Sequence, residues 1–198
     1  MTTPSRARRT ETLLNEVRAC THCAASLPEE PRPILQASAS SKILLASQAP
    51  GRLAHASGLP FDDPSGDRLR SWLGVDRDTF YDPDNFAIIP MGFCFPGTGN
   101  SGDLPPRPEC APLWRERLLG ALPEVATTIA IGGHAQAWHL PPKRPVTEVV
   151  AAWREHFPTV VPLPHPSPRN LAFFKRHPEV EAELVPALRA RVAELLGS

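Results

Sequence analysis

Surplus charge is what this sequence most plainly lacks: the 198 residues carry 21 Lys plus Arg against 21 Asp plus Glu. A chain with no net charge has no global field to draw it onto nucleic acid or anionic lipid, so a local patch must hold any such partner. Long apolar runs are also missing. No stretch approaches the ~18 apolar residues of a membrane span, and no apolar core follows the basic start MTTPSRARRTETLL as a secretory signal requires. The expectation is a cytoplasmic protein without a membrane partner, and nothing calls for an obligate protein partner. Cysteine is scarce, with four in all. In a reducing compartment these are poor material for structural disulfides and are first read as metal or redox ligands. No internal repeat is visible.

Proline, by contrast, is in excess: 25 of the 198 residues, about two and a half times the usual share. The surplus sits between periodic segments, where it stiffens loops. A hydrophobic fraction of 41% with 21% charged residues is an ordinary globular mix, and the length suits one domain. Residues 1–10 lack periodicity and read as a disordered end, leaving 11–198 as the domain.

From Glu11, the positions Leu13, Leu14 and Val17 form the stripe of a short helix that delivers Cys20 and Cys23. KILLAS (42–47), FAIIPMG (86–92), TTIAIGG (127–133) and TVVPLP (159–164) read as buried strands. Between and after them, helices are expected at 66–74 with Ser65 as N-cap, at 111–122, over HAQAWHL, over TEVVAAWREHF, and from 171 to 196 with Pro178 and Pro186 dividing the last. Strand and helix alternate four times, which favours an α/β fold with a parallel sheet covered on both faces. In such sheets ligands collect beyond the carboxyl ends of the strands. Three segments fall there: QAPG after the first strand, the stretch around Cys94, and HPSPRN.

CTHC places Cys20 and Cys23 within one turn, while Cys94 and Cys110 are separated by the 15 residues FPGTGNSGDLPPRPE. That is not the second close knuckle of a zinc ribbon. A loop of this length wraps more naturally around a centre several ångströms across, and four thiolates are the usual ligands of a [4Fe–4S] cluster. Zinc is the less favoured occupant, and buried unligated thiols are the plain alternative. A bound cluster would tie the N-terminal helix to the 94–110 loop.

SQAPG (47–51), GLPFDDPSGDRL (58–69) and HPSPRN (165–170) resemble the first motif, the base-stacking segment and the C-terminal motif of the uracil-DNA glycosylase superfamily. The cysteine pattern resembles its iron–sulfur branch, family 4, and the resemblance spans about residues 13–195. It implies a three-layer αβα fold on a central four-stranded parallel sheet. It also implies DNA as partner and cleavage of a base–sugar bond after the nucleotide is flipped into a pocket. By the same resemblance Phe61 stacks on the base, with a core phenylalanine as the plain alternative, and His165 donates to the departing base. Ala49, Pro50, Gly51 and Pro90 line the base pocket, and Ser167, Arg169 and Asn170 meet DNA, with Lys175 and Arg176 extending that surface.

Departures from the pattern bear on activity. Gln48 stands at the family 4 glutamate position and Ala49 at the family 1 aspartate position, and neither side chain is a general base. Pro90 stands at the uracil-reading asparagine. Asp63, close behind the stacking aromatic as in family 5, is the expected substitute acid beside Gln48 and His165. Capping of the next helix is the alternative role for Asp62 and Asp63. His55 is a further possible proton relay. No lysine nucleophile stands near these motifs, so the expected reaction is monofunctional, with water attacking. The contrasting reading is a DNA-binding relative that recognises lesions or single strands without cleaving them.

Overall fold

The computed structural model describes residues 5–100 and 102–197. Its centre is a four-stranded sheet of β1 (Ile43–Ala46), β2 (Phe86–Ile88), β5 (Thr127–Ile131) and β6 (Val160–Leu163), in the order β2-β1-β5-β6 and parallel throughout. The register pairs Ile43 with Phe86 on one side and Thr127 on the other, and Thr128 with Val160. Between β2 and β5 the chain makes a small hairpin, β3 (Thr98–Gly99) and β4 (Gly102–Asp103).

Alternation along the strands builds two cores. Ile43 and Leu45 face Leu69, Trp72 and Leu73 of α3 (Pro64–Leu73) and Leu188 and Val192 of α9 (Val185–Leu196). Leu44 faces Leu13, Leu14 and Val17 of α1 (Arg6–Arg18) and Trp114 and Leu118 of α5 (Cys110–Gly120). Helices thus cover both faces, giving the three-layer αβα arrangement. The remaining helices are α2 (Arg52–Ser57), α4 (Arg77–Tyr81), α6 (Gly132–His139), α7 (Val146–Ala151) and α8 (Leu171–Arg176). None of the described helices is long and apolar enough to cross a membrane.

Several elements differ from the sequence expectation. Helix α1 starts at Arg6, inside the segment read as a disordered end, because the Ser5 side chain accepts from the Arg8 amide and caps it; residues 1–4 lie outside the described part. The cap of α3 is Asp63 and not Ser65, with Pro64 just inside the helix where its missing N–H costs nothing. Pro186 likewise sits in the first turn of α9, so only Pro178 divides the C-terminal helices. The helix expected through residue 157 stops at Ala151 and gives way to a 3-10 turn over 153–155.

Candidate active site

Because all four sheet strands run parallel, their following loops meet at one edge. A cavity of about 430 Å³ opens there, a size suited to a small-molecule or nucleoside ligand. Its walls come from three distant segments. Ser47, Gln48, Ala49, Pro50 and Gly51 follow β1; Pro60, Phe61 and Asp63 precede α3; His165, Ser167 and Asn170 follow β6. Pro90, beyond β2, and Asp103 of the hairpin complete it.

Phe61 is held in an unusual way. Its φ of 58° is the one left-handed non-glycine backbone among the described residues, costing about 1–2 kcal/mol. Neighbours enforce it. Arg70, buried and paired with Asp67 at 2.5 Å, donates to the Phe61 carbonyl at 3.3 Å. The Tyr81 hydroxyl donates to the Pro60 carbonyl at 3.0 Å. Gly66 has no side chain where one would collide with the Phe61 carbonyl, a Cβ there falling 1.7 Å from that oxygen. The ring meets Phe80 edge-on at 6.3 Å and turns its remaining surface to the cavity. Backbone strain of this kind concentrates at functional sites.

His165 follows the buried β6. Burial pushes its pKa below the usual histidine value, against the opposing charges of Asp63 and Asp103. Nδ1 accepts the Ser167 amide at 3.2 Å, so the proton of the neutral ring sits on Nε2, where it can be donated. The Asn170 side chain donates to the His165 carbonyl at 2.8 Å and closes the loop on itself. Ser167 and Asn170 therefore brace His165 and line the cavity. The expectation for the Arg169 side chain lies outside the described residues, while Lys175 and Arg176 are exposed on α8.

Asp63 lines the cavity while its Oδ1 accepts the Gly66 amide at 2.8 Å, so the capping role is realised. Gln48 donates to the Leu104 carbonyl at 2.9 Å. His55 lies elsewhere: its Nε2 faces Glu29 at 2.8 Å and it does not line the cavity.

Below Pro90 sits Arg115, 1% exposed, donating to the carbonyls of Ile89 (3.1 Å) and Pro90 (3.3 Å) and meeting His139 Nε2 at 2.6 Å. Burial lowers the Arg115 pKa to about 10; burial and then the Arg115 charge lower that of His139 to about 3. His139 is therefore a neutral acceptor. Sequence reasoning passed over Arg115, although its place on the buried stripe of Ala111, Trp114 and Leu118 was the available signal. It also passed over Asp103, which ends a two-residue strand too short to show periodicity.

A family model described as the uracil DNA glycosylase superfamily matches residues 35–189, most of the chain. The protein belongs to the uracil DNA glycosylase superfamily. That superfamily generally hydrolyses N-glycosyl bonds in DNA, and the match takes in all three cavity-forming segments together with Cys94 and Cys110.

A second, smaller cavity, of about 20 Å³, lies outside the first. Cys20, Cys23, Cys94 and Cys110 all line it, enclosed by Leu27, Pro31, Pro33 and Phe93. The four thiols, remote in sequence, thus meet at one place, each partly buried and none in a disulfide. Burial pushes Cys94 up to about 11 and Cys110 to about 12. Backbone amides of Arg32 and Phe93 donate toward those two sulfurs. Among the described residues no group of three ligands is arranged to hold a single metal ion. Four partly buried thiols gathered in one largely apolar hollow form a donor set whose chemistry, as thiolates, fits an iron–sulfur centre.

Proposed function

We propose that this superfamily member is a monofunctional DNA glycosylase that flips a deaminated nucleotide into the 430 Å³ cavity and hydrolyses its N-glycosidic bond. One observation carries the reading: the first motif, Phe61 and His165, separated by up to 118 positions (165 − 47) in the chain, line a single cavity. Phe61 replaces the stacking that the base loses on leaving the helix. The base departs as an anion, and His165, fixed as the Nε2–H tautomer, stabilises that charge without changing its own. No lysine lines the cavity among the described residues, so water and not an amine attacks the sugar. Cys20, Cys23, Cys94 and Cys110 would hold the [4Fe–4S] cluster, as in the family 4 branch. Once bound, the cluster supplies thiolate–iron bonds joining the end of α1 to the 94–110 loop.

A second reading, a DNA-binding relative that does not cleave, is favoured by Gln48, whose amide is taken up by Leu104, and by Pro90, whose side chain reads no base edge. Base release decides between the two. Anaerobically purified protein, analysed for iron and zinc, is offered uracil, hypoxanthine and xanthine in single- and double-stranded DNA. Release of at least one base, lowered about 10²-fold by His165→Ala, supports the glycosylase. DNA binding with every base left in place supports the silent relative.

A further inference from the structure

Two carboxylates face the cavity, Asp63 and Asp103, and both border the hollow at its mouth beside Gly51. Their circumstances differ. Asp63 is tied to α3 as its cap, and α3 in turn seats Phe61 through Gly66 and Arg70. Asp103 has no helix to cap. Its Oδ1 accepts from the Thr98 hydroxyl at 3.3 Å, and its Oδ2 is turned toward the first motif, 3.0 Å from where a Cβ on Gly51 would stand. A side chain at position 51 would shut off that approach.

The hairpin carrying Asp103 is pinned at the residue that follows the acid. Leu104 donates its amide to the Gly97 carbonyl at 2.8 Å, and its own carbonyl receives the Gln48 side chain at 2.9 Å. The first motif, which has no acid of its own, therefore grips the residue next to one. Asp103 is exposed to solvent, from which water enters, and its charge, after that of Asp63, reaches the His165 ring.

The geometry points to Asp103 as the residue that orients and deprotonates the attacking water, with Asp63 holding α3; this rests on the glycosylase reading above. The water oxygen bonds to the anomeric carbon as the C–N bond breaks. The C–N electron pair leaves on the base, stabilised by the His165 Nε2–H. The water proton passes to Asp103, which returns it to the departed base or to solvent.

The test is single-turnover release of whichever base the panel identifies, by wild type, Asp103→Asn, Asp63→Asn and Asp103→Ala, with DNA binding and iron content measured for each. Asp103→Asn is expected to slow release by about 10²–10⁴-fold with binding and iron retained. Asp63→Asn, at the cavity wall, should slow release clearly less than Asp103→Asn, because Asn keeps the cap of α3. Added formate should restore part of the rate to Asp103→Ala, an effect that a folding defect would not produce. An Asp103→Asn rate within tenfold of wild type, or an Asp63→Asn loss as deep as that of Asp103→Asn, overturns the assignment. A wild type silent on every base removes the glycosylase reading as well; an active wild type beside an active Asp103→Asn removes this assignment alone.

Discussion

Gly66→Ala sets two effects of opposite sign against each other. Position 66 lies in the first turns of α3, where alanine is the better helix former by about 1 kcal/mol; on propensity alone the variant gains stability. The structure predicts the reverse. The new Cβ would lie 1.7 Å from the Phe61 carbonyl oxygen, against a floor of 3.0 Å that side-chain carbons essentially never breach, so the backbone must yield by about 3.0 − 1.7 = 1.3 Å. Overpacking costs about 1–3 kcal/mol, and a clash this deep against backbone falls at the upper end, leaving a net loss of about 2 kcal/mol and a melting temperature lowered by roughly 4–8 °C at this chain length. The Phe61 ring moves with its backbone, and a displacement near 1 Å at a binding surface costs about 10²-fold in rate. Urea melts of the two proteins, paired with single-turnover base release, read both effects. A variant as stable as wild type or more so would show that Phe61 is not seated on Gly66, and the account of its left-handed backbone would fall with it.

Phe61→Leu keeps bulk but loses the flat face. Losing stacking worth about 1–3 kcal/mol should lower the rate at subsaturating DNA by about ten- to hundredfold, with the urea midpoint nearly unchanged. Arg115→Met strips a buried donor from the carbonyls of Ile89 and Pro90. A loss of about 2–4 kcal/mol in denaturant melts is expected, together with a rise in the His139 pKa as the neighbouring charge disappears. Acid should weaken the fold through the same pair. His139 titrates at about 3 when folded and near 6.5 when unfolded, so the unfolded chain takes up the proton first. Stability is then complete above pH 6.5 and falls toward pH 3 by up to about 1.4 kcal/mol per pH unit. His139→Gln should flatten that part of the curve, and equal slopes in the two proteins would refute the assignment. NMR of His165 should show a titration midpoint below 6.5 with the proton on Nε2; a midpoint above that value contradicts its burial.

How much was legible in the sequence follows from how local each signal is. KILLAS, FAI, TTIAI and VVPL stood out because strands buried on both faces are nearly unbroken apolar runs, and their order with the helices implied the parallel sheet. Helix α2, six residues long with one buried side chain, offers no stripe to count. The first turns of α1 are exposed apart from Thr10 and are marked only by Ser5. The choice of Asp63 over Ser65 as cap was signalled by the proline that follows it. Within the site, Phe61, His165 and the first motif were found by pattern. Arg115 and Asp103 were not, because their contacts, Ile89 and His139 for one and Gly51 for the other, are tertiary and leave no mark at fixed spacing.

The left-handed backbone at Phe61 also restricts what could ever replace it. Valine, isoleucine and threonine are doubly unsuited to the position, since branching at Cβ collides with a positive φ and none presents a planar face. Glycine or asparagine would relieve the torsion while leaving the cavity without a platform. Anyone seeking to retune this pocket by directed evolution therefore has a short alphabet at position 61, essentially the flat rings, and should diversify the walls around it first.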